Sequence, residues 1–220
     1  MLLSRCVLCN EFSDGHALCP SCWDKISNQF YDKAFKRCPE CYSLVPFEDH
    51  RCRFCSSHPL SKIFIISPYE GISRKIIEDI KFSGFKRGIP AVAEVFRYHI
   101  ESLHLEGGVR IVPVPASASG LKRRGFDQMK LIARKIGLPW TPALKRKADI
   151  EQKSLSRKDR INEMDKMFSI SKEISDCCEK NIILIDDICT TGTTMFSAMD
   201  ALSLSGKNLI GMAWLGFVHG

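Results

Sequence analysis

Residues 1–60 show no sustained helical or strand period among their apolar positions, so they hold too little patterned apolar surface for a core of their own. From Ile63 the pattern changes. Ile63–Tyr69 (IFIISPY) is a β-type run, and Gly71–Phe82 places Ile72, Ile76, Ile77 and Ile80 at helical spacing. A second amphipathic helix is predicted over Ala91–Leu105, with Val92, Val95, Phe96, Ile100 and Leu103 inward. Val109–Val114 is a short apolar run closed by Pro115, which predicts a strand. Phe126–Ile136 predicts a third helix, burying Met129, Ile132, Ala133 and Ile136. Lys145–Glu163 is charged and weakly periodic, and is expected to be a mobile excursion. Asn181–Ile185 is almost wholly apolar, as a strand buried on both faces of a parallel sheet would be. Thr194–Ser205 predicts a helix and Leu209–Val218 a last strand. Strands alternating with helices specify an α/β fold, a mostly parallel sheet flanked by helices, spanning residues 61–220 behind a small module at residues 1–60.

Hydrophobic residues make up 45% of the 220 and charged residues 26%, an ordinary globular composition that argues against disorder. No apolar run approaches the roughly 18–20 residues needed to span a bilayer, so no membrane insertion is expected. The first ten residues lack the apolar stretch of a secretory signal, which points to the cytoplasm. Of the net charge of +7, none comes from residues 1–60, where seven Lys/Arg meet seven Asp/Glu. Gly120–Arg160 holds thirteen Lys/Arg against four Asp/Glu, and such a stretch favours phosphates, pyrophosphate or a nucleic-acid backbone.

Eight of the eleven cysteines fall into four C-x-x-C pairs: Cys6/Cys9, Cys19/Cys22, Cys38/Cys41 and Cys52/Cys55. Two residues between thiolates let a tight knuckle aim both sulfurs at one tetrahedral metal, and Pro20 and Pro39 stiffen two of these turns. Four pairs predict two structural zinc sites, closed because four thiolates leave no open position. Sequential pairing is simplest, and an interleaved arrangement stays open. Redox motifs come singly beside a βαβ unit, and disulfides are not expected in a reducing compartment.

Ile182–Thr194 (IILIDDICTTGTT) is an apolar strand, two carboxylates, a Thr/Gly-rich loop and a helix start. A buried parallel strand presents its C-terminal end at the ligand crevice of an α/β sheet. There Asp186 and Asp187 can accept hydrogen bonds from sugar hydroxyls or position Mg²⁺ through water. Thr190, Thr191, Gly192, Thr193 and Thr194 offer hydroxyls and successive N–H groups, backed by a helix N-terminus, that can cradle a phosphate. The run resembles the signature of type I phosphoribosyltransferases that binds 5-phosphoribosyl 1-pyrophosphate (PRPP). That resemblance implies Asp186 and Asp187 on the ribose hydroxyls, Thr190–Thr194 on the 5′-phosphate, and Mg²⁺ bound along with PRPP.

Val112-Pro113-Val114-Pro115 leads into small residues and then Leu121-Lys122-Arg123-Arg124-Gly125-Phe126-Asp127-Gln128. With the cysteine module and the Asp-Asp loop, this pattern resembles the ComF family, whose members take part in DNA uptake during competence. The chain departs from the family in having Asp127 for an Asn, and Ala116-Ser117-Ala118-Ser119 where His and Arg are usual. The expected pyrophosphate loop is therefore Ala116, Ser117 and Ala118, aided by Lys122, Arg123 or Arg124. Gln152, Leu155, Arg160 and Asn162 also match the family spacing, and Gln152, Arg160 and Asn162 suit a lid. Lys81 is weighed as a phosphate contact against an exposed helix-end lysine.

The resemblance implies displacement of pyrophosphate at the anomeric carbon of ribose, through an oxocarbenium-like transition state. A hood over the acceptor is expected from the zinc module. The rival reading is a non-catalytic accessory protein of the competence machinery that binds single-stranded DNA along Lys122–Arg160, where Phe126 and Trp140 are the only aromatics and base stacking is thin. A third is a PRPP-sensing regulator.

Overall fold

The structure, a computed structural model, describes residues 4–46, 52, 62–146, 167–171, 174, 177–203 and 205–216. Its elements are α1 (Pro20–Ser27), β1 (Lys36–Arg37), β2 (Leu44–Val45), β3 (Ile63–Pro68), α2 (Gly71–Phe82) and α3 (Ile89–Ser102). Next come β4 (Val109–Pro113), α4 (Ala118–Arg124), α5 (Gln128–Ile136), β5 (Leu144–Arg146), β6 (Phe168–Ile170), β7 (Asn181–Cys189), α6 (Thr193–Ser203) and β8 (Asn208–Gly216). Among the described residues, no helix is long and apolar enough to cross a membrane.

Strands β3, β8, β7 and β4 form a four-stranded sheet in that order, every pair parallel. Period-two alternation divides its side chains between two layers. Phe64, Ile66, Ile111, Ile183, Ile185, Ile210, Met212 and Trp214 pack toward α2, α3 and α5. Ile63, Val112, Val114, Ile182, Leu184 and Ala213 pack toward α6 and the small β5–β6 pair. Both layers are covered, which is why the central strand β7 reads as one apolar run rather than an alternating one.

Register decides what the sheet edge offers. β4 pairs with β7 only from Asn181 to Ile185, whereas β8 accompanies β7 as far as Cys189. β7 therefore overshoots β4 by the stretch that holds Asp186 and Asp187, and opens a crevice beside them.

Two sequence expectations need correction. Lys145 and Arg146 belong not to a mobile excursion but to β5, antiparallel to β6 through Lys145↔Ser169 and Arg146↔Phe168. The basic cluster after Ser119 is not a loop: Ala118–Arg124 is a helix, N-capped by Ser117 Oγ, which accepts from Gly120 N, and ended by Gly125 at φ 74°. Gly125 carries the left-handed turn that stops the helix, and Phe126 after it packs against the core.

The cysteine segment does not stand apart. Cys6, Leu18, Cys19, Cys22, Ile26 and Phe30 share one core with α2, α3, α5 and the sheet. Ile26 is fully buried, and burying such a side chain contributes about 1.5–3 kcal/mol. Polar contacts secure the same seam. Glu94 on α3 accepts from the amides of Ala17 (2.9 Å) and Leu18 (3.2 Å). Gln29 Oε1 accepts from Ser73 N at the start of α2 (3.1 Å), and the Tyr31 hydroxyl donates to the Gly216 carbonyl (3.1 Å). Arg37 donates to the carbonyls of Tyr42 (3.1 Å) and Ile65 (2.8 Å) while lying 3.4 Å from the Phe64 ring centroid.

Candidate functional site

Alternation along β7 sends the two carboxylates to opposite layers. Asp187, 5% exposed, turns toward α2 and α5. Lys81, in the last turn of α2, reaches its Oδ1 at 2.9 Å, and Gln128 Nε2, at the start of α5, donates to its Oδ2. Lys81 is thus a half-buried partner of the pair rather than an exposed helix-end lysine. Asp186 turns the other way, toward the layer holding Arg146. One of its oxygens accepts from the Asp187 amide (2.9 Å). Burial first, and the neighbouring Asp187 charge second, push Asp186 up to about 8. The pair is asymmetric: one carboxylate is compensated, the other is short of positive charge.

After β7, Gly192 at φ 77° turns the chain into α6. A Cβ at Gly192 would stand 2.6 Å from the Phe196 ring, so a side chain there would have to displace that ring and hold a strained φ. Thr194 lines the crevice, while Thr190 and Thr191 are exposed and Thr191 and Thr193 hydroxyls meet at 2.9 Å.

On the β4 side, the Val114 amide still reaches the Ile185 carbonyl (3.0 Å), then the chain leaves the sheet. Asp127 clamps the turn beyond Pro115. Its Oδ1 accepts from Lys130 N as the N-cap of α5 (3.2 Å), and its Oδ2 from Ala116 N (3.3 Å). A carboxylate in both bonds fixes the turn against the helix.

The crevice encloses about 410 Å³. Asp186, Asp187, Lys81, Gln128, Ala116, Ser117, Arg123, Arg124, Thr194 and Arg146 all line it. Of the expected pyrophosphate residues, Ala118 and Lys122 are exposed and lie outside its lining. Gln152, Arg160, Asn162 and Cys55 lie outside the described residues. Among the described residues, none from 4–46 lines the crevice. The cysteine segment approaches that sheet edge instead through Tyr31 at the end of β8, so this part of it does not form the expected hood. Two buried polar atoms of the crevice have no partner, Arg124 Nε and Gln128 Oε1.

The sequence reading missed Arg146 and undervalued Lys81. Arg146 was hidden in a charged stretch, and the cue was the apolar Leu144 two residues before it, which places both on one face of a strand.

The cysteines form the sequential groups Cys6, Cys9, Cys19, Cys22 and Cys38, Cys41, Cys52, with the sulfurs of each group within 4.8 Å of one another. Four thiolates around zinc stand about 3.8 Å apart, given a Zn–S bond near 2.3 Å. Cys9–Cys19 and Cys41–Cys52 are each at 3.5 Å. The knuckles repeat one geometry. Asn10 N and Tyr42 N donate to the Cys6 and Cys38 carbonyls, each at 2.9 Å, with φ of 67° and 60° at Asn10 and Tyr42. Burial pushes the Cys22 thiol up, and the neighbouring sulfurs add to that, so four bare thiolates cannot coexist without a cation. Both groups could hold zinc.

No family model matches the chain. It is 27% identical over 210 residues to competence protein F of Haemophilus influenzae, covering 87% of each chain. It is 25% identical over 202 residues to competence protein ComFC of Bacillus subtilis, covering 92% of this chain and 72% of that one. Among solved structures, the adenine phosphoribosyltransferase of Leishmania tarentolae aligns with a TM-score of 0.37 and 13% identity, over 63% of this chain and 74% of that one. A hypoxanthine phosphoribosyltransferase of Staphylococcus aureus aligns with a TM-score of 0.35 and 13% identity, over 60% and 64%.

Proposed function

We propose that this chain, a homologue of the ComF competence proteins over nearly its whole length, binds PRPP with Mg²⁺ in the crevice beside Asp186 and Asp187. The observation that carries the reading is the pairing of chemistries in one crevice. Carboxylates and an unpartnered Gln128 Oε1 suit sugar hydroxyls, and Thr194 and an unpartnered Arg124 Nε suit phosphates. In this reading Asp186 and Asp187 hold the ribose hydroxyls. The turn Thr190–Thr194 holds the 5′-phosphate, and Ala116, Ser117, Arg123 and Arg124 hold the pyrophosphate. Mg²⁺ bound with the pyrophosphate would offset its charge, and Asp186, which feels the Lys81 and Arg146 charges, makes no ion pair among the described residues. Lys81 and Gln128 keep Asp187 oriented.

The reaction class is attack of an acceptor nucleophile on the anomeric carbon with departure of pyrophosphate. The basic groups stabilise the leaving group and the carboxylates fix the ring. Residues 1–60 act as a zinc-held module and residues 61–220 as the phosphoribosyl-binding part, with Gln152, Arg160 and Asn162 as its lid. The test is calorimetric titration of PRPP–Mg²⁺ into zinc-loaded wild type and the Asp186→Ala, Asp187→Ala double variant. Saturable binding that the variant loses supports the reading, and a wild type that does not bind overturns it.

A second reading, a single-stranded-DNA accessory of the competence machinery, draws on the crevice rim. Phe82 is 64% exposed there with the Arg123 guanidinium 5.1 Å from its ring, and Lys86 lies 4.8 Å from the Phe126 ring. Aromatic rings beside cations suit stacked bases and their phosphates. Oligonucleotide affinity that falls steeply with salt and drops on Phe82→Ala favours it.

A further inference from the structure

We infer that Arg146 on β5 is an anion-holding residue of the crevice, gripping the pyrophosphate end of the ligand from the side opposite Arg123 and Arg124. The inference rests on the PRPP reading for the identity of the anion.

Strand alternation sets its direction. Leu144 is buried, Lys145 is exposed and Arg146 is half-buried, so β5 turns Leu144 and Arg146 inward together. Neutral groups then fix the guanidinium. Nε donates to the Pro115 carbonyl at 2.9 Å, Nη1 approaches Met167 Sδ at 3.7 Å, and the group lies 5.0 Å from the ring of buried Phe168, its cross-strand partner.

The missing element is an acid. Arg37, Arg74, Arg97 and Arg110 each bond a carboxylate, on Asp32, Glu78, Glu101 and Glu179 respectively. Among the described residues Arg146 has no carboxylate within ion-pair distance, although it is half-buried and lines the crevice. A guanidinium carries five N–H donors, and these neutral contacts use Nε and one Nη1 hydrogen. A half-buried cation held by neutral acceptors, with donors left over, is preorganised for an incoming anion.

Placement chooses which anion. Arg146 is bonded to the backbone of the turn after β4, between the sheet and Ser117. Arg123 and Arg124 reach the same crevice from α4, and the Thr190–Thr194 turn belongs to the next strand over. The turn from Pro115 to Ser119 has no charged side chain, so cations serving it must come from neighbouring elements. Arg146 is the one that β5 supplies.

The test titrates zinc-loaded full-length protein with three probes, each with Mg²⁺: PRPP, inorganic pyrophosphate and ribose 5-phosphate. Arg146→Met is expected to weaken PRPP and pyrophosphate by about tenfold to a hundredfold, the loss of charge-assisted bonds, and to leave ribose 5-phosphate within about twofold. Arg146→Lys keeps a charge without the fork and should fall between. Equal weakening of all three probes in Arg146→Met would reveal a structural role and overturn the assignment, as would unchanged pyrophosphate affinity. Wild type that binds pyrophosphate but neither PRPP nor ribose 5-phosphate sinks the ribose reading while still testing Arg146, and wild type that binds none sinks both.

Discussion

Asp186→Asn should stabilise the protein above neutral pH while removing a carboxylate of the proposed PRPP site. Asp186 is half-buried, bonded to one backbone amide and set beside a charged Asp187, and these surroundings hold it near pKa 8. An unfolded Asp titrates near 3.9. Between those two values the folded state keeps a proton that the unfolded state has given up. Wild-type stability therefore falls as pH rises through that window, at up to about 1.4 kcal/mol per pH unit. Asparagine keeps an oxygen for the Asp187 amide and has nothing to ionise. Water entering a half-buried site blunts the full effect, so a gain of about 1–3 kcal/mol by pH 8 is expected. The assay is urea unfolding of both zinc-loaded proteins at pH 5, 7 and 8.5. The difference between them should be small at pH 5 and should grow with pH. A difference that is flat across this range, or a variant less stable at pH 8.5, would refute the account of Asp186 as a carboxylate held protonated by its site.

His99 should show the opposite slope. It is 2% exposed among Phe30, Phe64 and Tyr98, and burial, followed by the Arg37 charge, lowers it to about 3. Asp32 lies 3.8 Å away but is already bonded to Arg37 and open to water, so it does not compensate. Stability is therefore lost as pH falls below about 6.5, by about 2 kcal/mol from pH 7 to 5, and this part of the loss should vanish in His99→Leu. If the two proteins lose stability equally on acidification, the burial argument fails. Stripping zinc with a chelator should lower the melting of the α/β sheet together with the cysteine segment, because they share a core, and Glu94→Ala should speed zinc loss by freeing the Ala17 and Leu18 amides. Two separate melting transitions, or zinc release indifferent to Glu94, would contradict the shared seam.

Much of this was legible because its physics is local. The C-x-x-C knuckles need only a turn of a few residues, and both described groups follow sequential pairing. The α2 helix spans Gly71–Phe82 as its isoleucine spacing specifies. The run ahead of Asp186 is a strand covered on both faces, as its unbroken apolar character requires. Errors of extent were small where a cap decided the end: α5 begins at Gln128 rather than Phe126 because Asp127 takes the N-cap.

Other features were beyond the sequence because they join residues distant along the chain. No periodicity tells Lys81 to meet Asp187, or that Arg146 ends a strand paired with Phe168. The separation of Asp186 from Asp187 follows from strand alternation, but the unequal compensation of their charges depends on which helix ends arrive at each face. The cysteine segment's lack of an aliphatic period was visible. Its use of the sheet's own core was not, since that core forms only when Ile26 and Phe30 meet α2, α3 and the sheet. Sequence by itself determined the long periodic elements of the sheet and its helices and the C-x-x-C spacing that gathers the sulfurs in two groups, all set by residue type and spacing. Only the tertiary structure decided the overshoot of β7 past β4, the partners of each carboxylate and the aim of each cation, because burial and register are properties of the packed sheet.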